Sequence, residues 1–402
     1  MANRDFWHGA VVGTAAVLTG TVLFMQMGTH AGGAERGVLS DERNVEKIQY
    51  LEQIVDEEFL FDIDEDRMAE GMFAGLLAGL GDPYTYYYTP EEYEEENVAS
   101  EGSYVGIGVS FQKNEDGGCK IVEVYAGFPG DQAGLEPGDL IVGVNGEDVT
   151  DMTSTEVALT IKGEEGTQVQ LTVYKPEATE PLELELTLSH VEIPSVEWEM
   201  LDEENGYIRI TEFMGVTSEQ FASAMQDLRD QGMQRLVVDV RNNPGGLLYE
   251  VCDLLEQILP AGLIVYTEDK YGQKEEIFGE GETPLDIPLA VLVNGNSASA
   301  SEIFAGAIKD YGIGTIVGTK TFGKGIVQSL HALPDGSAMQ LTIANYFTPN
   351  GVNIHNVGIE PDVEVKVEES LLNRTDFTHE EDNQLQEALN ILRENAERNT
   401  EE

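Results

Sequence analysis

Positive charge is what this chain has least of: 22 Lys and Arg stand against 75 Asp and Glu in 402 residues, a formal net charge of −53. A surface of that sign repels nucleic acid and anionic lipid headgroups, so neither is expected as a main partner. Acidic clusters such as Glu91 to Glu96 lack the glycine-punctuated alternation of a calcium loop and read as a solvated, salt-tolerant surface. Cysteine is scarce too. Cys119 and Cys252 lie far apart, in no C-x-x-C or Cys/His metal spacing, which excludes a disulfide framework and points to two buried free thiols. Beyond His30 only His190, His331, His355 and His379 remain, none with an obvious acidic orienter, so a Ser-His-Asp triad is disfavoured.

Apolar residues are plentiful at 41%, enough for more than one core in a chain too long for a single compact domain. Near the start, Arg4 precedes an uncharged stretch from Gly9 to Gly28 built on Val11, Val12, Val17, Leu18, Val22, Leu23, Phe24 and Met25. About 20 such residues suffice to cross a bilayer core as a helix. The stretch is expected to be a signal anchor or a cleavable signal peptide, with the remaining chain outside the cytoplasmic membrane. Thr29-His30-Ala31 is only a fair cleavage site, which leans toward an anchor.

Further on, Val45, Ile48, Leu51, Ile54 and Val55 recur at helical spacing, and Met68, Met72, Phe73, Leu76, Leu77 and Leu80 mark a second helix. Gly81-Asp82-Pro83 stops it. These two helices form an N-terminal arm whose apolar faces must pack on the rest of the chain or on a second copy. From Tyr104 to Lys175 the pattern turns to short strands between glycine turns, with a helix near Ser154 to Ile161. Ala133-Gly134-Leu135, Pro137-Gly138-Asp139 and Val144-Asn145-Gly146 follow in an order that resembles a PDZ domain. The resemblance implies a small β-barrel plus helix that captures chain ends by strand addition, with Gly106, Ile107, Gly108 and Val109 as the carboxylate loop. The alternative is that those glycines form only a bulge or tight turn in a structural barrel. From Glu192 onward buried strands alternate with helices: Leu236 to Val240, then Val251 to Ile258, then Pro288 to Val293, then Ala300 to Lys309. That alternation implies a largely parallel sheet. A short C-terminal helix marked by Leu385, Leu389 and Leu392 is expected to dock on the core or on a partner subunit.

Three stretches could carry chemistry. In Asn294 to Ile303 a buried strand ends, a small-residue turn follows and a helix begins, where a serine can attack a carbonyl while helix N–H groups receive the oxyanion. Ser299-Ala300-Ser301-Glu302 also fits a plain capping box, and local chemistry does not rank Ser297, Ser299 and Ser301. Lys324 sits between Gly323 and Gly325, where close backbone approach is allowed. Burial disfavours a lysine's charged form and can make it a proton acceptor for a serine. Arg241-Asn242-Asn243-Pro244-Gly245-Gly246 follows a strand and can point N–H groups into the sheet mouth, although a helix-starting turn would look the same.

Taken together these stretches resemble the C-terminal processing peptidases, the S41-type serine proteases. Leu80-Gly81-Asp82-Pro83-Tyr84, Leu333 to Ser337, Tyr346 to Gly351 and Gly358 to Asp362 extend the match over nearly the whole chain. The resemblance implies Ser299 as nucleophile, Lys324 as base and Gln328, one helical turn later, as the residue orienting that lysine. It implies oxyanion donors at Ala300 and at Gly245 or Gly246, a supporting role for Glu302, and no metal or organic cofactor. The fold implied is multidomain α/β, with a ClpP/crotonase-like protease core, a PDZ domain and the helical arm. On this reading the chain divides into a signal anchor or signal peptide (1–31), a linker and N-terminal arm (32–98), a PDZ domain with connecting strands (99–190), a protease core (191–368) and a C-terminal helical tail (369–402). Expected partners are proteins or peptides with free C-termini and a second copy of the chain, with membrane contact through the N-terminal segment alone. Phe128-Pro129-Gly130 departs from the Ser-Pro-Ala of many relatives. The competing readings are a non-catalytic PDZ scaffold and a crotonase-type enzyme acting on acyl-thioesters.

Overall fold

The computed structural model describes residues 37–401 apart from 372, 373, 375 and 376. The stretch Gly9–Gly28, read as an anchor or signal peptide, lies outside them. Among the described residues no helix is long and apolar enough to cross a membrane. They fall into two compact units: residues up to Tyr93 with Gln328–Thr342, and Glu94–Val327 with the chain from Ile343 on.

In the first unit the two expected helices run Glu42–Glu58 and Glu65–Ala78, capped by Asp41 and Asp64, whose carboxylates accept the N–H of Arg43 and Arg67. The second ends three residues before Gly81. Neither helix buries a residue: Leu51, Met72 and Leu76 are all about half exposed. The Leu80-to-Tyr84 motif has a structural use here. Asp82 accepts Tyr84 N–H at 3.1 Å and the Thr85 hydroxyl at 2.7 Å, and Thr85 Oγ1 accepts Thr342 N–H at 3.3 Å.

The second unit holds two cores. Strands Val109–Lys113, Cys119–Val124, Leu140–Val144, Gln168–Tyr174 and Leu182–Thr187 pair in that order, closed by the helix Ser154–Ile161. Between strands Leu140–Val144 and Glu147–Asp148, Asn145 and Gly146 both take positive φ, the requirement of a two-residue hairpin turn. Asp139, fully buried, accepts Glu136 N–H at 2.8 Å and pairs with Lys175 at 2.9 Å, so the Pro-Gly-Asp element is a fixed corner. Ahead of this sheet the chain breaks at Ile107-Gly108, between the strands Ser103–Gly106 and Val109–Lys113.

The larger core is built on a six-stranded sheet. Val196–Met200 lies antiparallel to Asn205–Ile210, and then Arg235–Asp239, Leu289–Val293, Gly314–Gly318 and Val363–Glu364 follow in parallel. Strand order equals chain order, so right-handed crossovers put every connecting helix on one face. Side chains alternate accordingly. Ile208, Leu236, Val238, Val291 and Val293 pack on Phe221, Leu228, Leu254 and Phe304 of those helices. Tyr207, Val237, Ala290, Leu292 and Val317 face the other way, onto Leu385, Ala388, Leu389 and Leu392. At about 1.5–3 kcal/mol per buried large side chain, leaving that second face wet would be prohibitive. The C-terminal helix Asn383–Glu401 therefore docks on its own core, the first of the two places expected for it.

Candidate active site

At the carboxyl ends of strands Arg235–Asp239 and Leu289–Val293, two loops are zipped together. Asn243, fully buried, donates its amide to Ile210 O at 3.0 Å, accepts Gly245 N–H on Oδ1 at 2.8 Å, and takes Ala298 N–H and the Ser301 hydroxyl on its main-chain oxygen at 3.1 and 3.0 Å. Asn242, at positive φ, bridges to Asn294 and Asn296. Arg241 anchors the loop from behind. Its guanidinium, mostly buried, meets Asp239 at 2.5 Å and Asp382 at 2.7 Å, and Gln384 at 2.9 Å. Burial alone would favour neutral arginine, but the two carboxylates outweigh it and hold the charged form more firmly than usual.

These bonds rank the three serines. Ser297, fully buried, spends its hydroxyl on Val240 O at 2.7 Å, and Ser301, fully buried, spends its own on Asn243 O. Ser299 is half-buried and sits at φ 52°, ψ −114°, a backbone region where non-glycine residues are rare. It heads the helix Ala300–Tyr311, whose N-terminal N–H groups face the loop.

Lys324 lies two residues before the strand Ile326–Ala332, and its flanking glycines are there for close approach. A Cβ on Gly325 would come within 2.4 Å of His355 N, and one on Gly323 within 3.2 Å of Gly358 N. The link between Ser299 and Lys324 runs through residues whose roles local sequence left open. Glu302, fully buried, takes the Thr321 hydroxyl and Gly323 N–H on Oε1 at 2.5 and 2.8 Å, and the N–H groups of Lys324 and Ser299 on Oε2 at 2.8 and 3.0 Å. Tyr346, also buried, donates its hydroxyl to the main-chain oxygens of Ser299 at 3.0 Å and Lys324 at 2.5 Å. Burial, with Glu302 nearby, pushes that phenol well above its ordinary range, so it stays a donor. Glu302 is thus more than the cap its spacing suggested.

Gly245 presses its backbone on Ser299 and Ala300, since a Cβ there would lie 2.7 Å from Ser299 Cβ, but its N–H is taken by Asn243. Among the described residues, the N–H groups of Gly246 and Ala300 have no such acceptor. Gln328 stands within a strand, not one helical turn after the lysine as anticipated, and in the first unit its amide donates to Thr342 Oγ1 at 3.3 Å. The loop Gly106–Val109 borders a groove beside the Ser154–Ile161 helix; Gly108, at φ 74°, lies under Phe128, and Gly130 N–H donates to Ile107 O at 2.7 Å. One histidine does have an acidic partner: His379 Nε2 is 2.9 Å from Glu199. They line an 830 Å³ cavity with Asp202 and Arg235 that includes none of residues 241–246, 294–301 or 321–325. Cys119 and Cys252 are buried free thiols, and burial pushes Cys252 up to about 12.

Three family models match the chain: peptidase family S41 over residues 204–365, the PDZ domain over 98–174, and the N-terminal domain of the activating protease CtpB over 11–92. A carboxyl-terminal-processing protease of Synechocystis sp. is 38% identical over 322 residues, covering 79% of this chain and 75% of that one. A probable CtpA-like serine protease of Staphylococcus aureus is 33% identical over 329 residues, covering 81% of this chain and 66% of the relative. Among solved structures, a photosystem II D1 C-terminal processing protease is 30% identical, with a TM-score of 0.46 over 79% of this chain and 86% of that one.

Proposed function

This chain belongs to peptidase family S41, as a carboxyl-terminal-processing serine protease with a PDZ domain, and from that premise we propose that Ser299 and Lys324 form its catalytic dyad. The observation that carries the proposal is the rank of the serines. Ser299 alone of the three is half-buried and strained, and Glu302 and Tyr346 tie its main chain to that of Lys324.

Neutral Lys324 takes the Ser299 proton as Oγ bonds to the scissile carbonyl carbon, and the N–H groups of Ala300 and Gly246 receive the oxyanion. Gly245 serves by closeness of backbone, its N–H being engaged. The C–N bond then breaks, and Lys324 returns the proton to the departing amine. Water attacks the acyl-enzyme with Lys324 again as base, freeing the new carboxylate and Ser299. Gln328 orients the lysine.

Substrates are proteins or flexible peptides with free C-termini. The PDZ domain captures the tail through Gly106, Ile107, Gly108 and Val109, along the edge strand Val109–Lys113, which among the described residues pairs on one side only. Gating by the PDZ domain is supported by a short run of main-chain bonds, Gly215 N–H to Ser100 O at 2.9 Å and Phe213 N–H to Gly245 O at 2.8 Å. The core architecture is ClpP/crotonase-like, and the chain divides at residues 31, 98, 190 and 368 into leader, arm, PDZ domain, core and tail. The apolar Gly9–Gly28 stretch supports an extracytoplasmic site of action, anchored or secreted. The exposed apolar faces of Glu42–Glu58 and Glu65–Ala78 support a homodimer formed through them.

Ser299→Ala and Lys324→Ala are each expected to abolish cleavage of an unfolded protein, while His331→Ala and His355→Ala retain it. Product masses should place the cuts near the tail. Full activity in Lys324→Ala would overturn the dyad.

A further inference from the structure

The 830 Å³ cavity bordered by His379 and Glu199 falls in the size range of small-molecule sites, and neither Ser299 nor Lys324 lines it. One wall is the hairpin turn joining strands Val196–Met200 and Asn205–Ile210, and the other is residues 378–380 with the face of the C-terminal helix at Leu389 and Arg393. Asn205 lines it and is 3% exposed. Its Nδ2 donates to Asp202 Oδ2 at 2.7 Å, which fixes the orientation of the amide, and among the described residues its Oδ1 accepts no hydrogen bond. A buried acceptor left unmet is costly, so a donor arriving from the cavity gains by meeting it. The lining favours a donor that carries positive charge. Glu199, Asp202, Glu203, Glu204 and Glu380 stand against Arg235 and Arg393, and Arg235 is already paired with Glu204 at 2.9 Å. Among the described residues the carboxylates of Glu203 and Glu380 have no partner.

A compact ion does not fit these groups: among the described residues no three His, Cys, Asp or Glu side chains gather closely enough to hold a metal. The carboxylates are spread over both walls, and Met200, Leu201 and Leu389 add apolar lining. Separated anions with apolar surface suit a chain of ammonium groups joined by methylene runs. We propose that this cavity binds a linear polyamine, with one ammonium donating to Asn205 Oδ1 and others meeting Glu203 and Glu380, and that its occupant steadies the glycine-pair loop. The connection is short. Asp382 N–H donates to Thr378 O at 3.1 Å, and the Asp382 carboxylate holds Arg241 at 2.7 Å. On the hairpin side, the His379 ring lies 5.0 Å from that of Tyr207, whose hydroxyl donates at 2.8 Å to Asp239, the other anion on Arg241. An occupant that binds more tightly when residues 378–382 are ordered therefore favours the clamped loop. Binding stands apart from the catalytic reading above; the effect on cleavage rests on it.

Spermidine is titrated into the full chain by calorimetry in about 150 mM sodium chloride, which screens diffuse attraction to a strongly acidic surface. A single saturable site per chain is expected. Glu203→Gln with Glu380→Gln should bind about tenfold more weakly. Glu275→Gln with Glu276→Gln, which takes the same charge from the exposed side of strand Lys274–Gly279, should bind as wild type. Asn205→Leu should weaken binding too, and the two surface glutamates keep the test decisive if that variant folds poorly. Spermidine should also slow amide exchange at residues 200–205 and 378–386. No saturable heat, or equal losses in both double variants, would reduce the effect to diffuse attraction and overturn the site. At saturating spermidine, kcat on an uncharged peptide should rise about fivefold with KM unchanged, and Asp382→Ala should lose that gain. Stoichiometric binding with an unaltered kcat overturns the link to the loop and leaves the site standing. A Ser299→Ala chain that still cuts overturns the catalytic reading instead, while calorimetry continues to report the site.

Discussion

Ser299 pays for its geometry. A side chain at φ 52°, ψ −114° costs about 1–3 kcal/mol, held in place by the bond from its N–H to Glu302 and from Tyr346 to its carbonyl. Ser299→Gly should therefore raise stability by about 1 kcal/mol in denaturant titration while abolishing proteolysis; a less stable protein would refute the strain. Glu302→Gln tests the other partner. It keeps the volume but turns an amide group toward two N–H or O–H donors, each costing about 1–3 kcal/mol when left unmet. Activity should fall about 100-fold, as expected when reacting groups shift by an ångström, with a clear loss of stability. Wild-type activity in Glu302→Gln would mean that the hub merely fills space. Neither role was legible in the residues themselves. Ser297, Ser299 and Ser301 are alike along the chain, and what separates them is Val240 O and Asn243 O, more than fifty residues upstream. Glu302 shows its cap locally because that contact spans three residues, whereas Thr321, Gly323 and Lys324 reach it from about twenty residues downstream.

Among the elements, the C-terminal helix does two things at once. It seals the second face of the sheet, and just before it Asp382, with Gln384, holds the guanidinium of Arg241 at the root of the glycine-pair loop. Asp382→Ala leaves Asp239 as the remaining anion, so it should cost about 2 kcal/mol, less than breaking a lone buried pair. Because the loop sits beside Ser299, cleavage should slow by roughly tenfold, with peptide binding to the PDZ groove unchanged. An unaltered rate in a measurably destabilised Asp382→Ala would separate the clamp from catalysis. Most core elements were readable, since runs such as Leu289–Val293 are apolar throughout and the helix Leu248–Glu256 gathers Val251, Cys252, Leu254 and Leu255 on its buried side. The C-terminal helix was foreseen only around Leu385 to Leu392, because beyond that the sequence is polar and nothing in its pattern marks the continuation to Glu401. The strands Gly262–Asp269 and Lys274–Gly279 escaped notice for a related reason: the first is largely half-buried and the second mostly exposed, so neither alternates cleanly.

For the whole molecule, charge sets the response to solvent. With 75 acidic residues against 22 basic, like charges repel across the surface, and screening them should stabilise the fold. Buried carboxyls add a pH dependence of definite sign. Burial raises Glu250, helped by Asp253 and Glu219, and Glu212, helped by Glu96. An acid whose folded pKa is raised binds its proton more tightly when folded. Its contribution is fully present below the unfolded pKa and is lost as pH rises through the folded one. Both effects run the same way, so the melting temperature should climb as sodium chloride is added and, at low salt, as pH is lowered from 8 toward 5. The pH trend should shrink in high salt but not vanish, because burial is the larger cause of those shifts and salt does not screen it. A melting temperature indifferent to salt at pH 8 would show that the acidic surface is already neutralised by bound cations, and thermal melts across a salt and pH grid decide between the two.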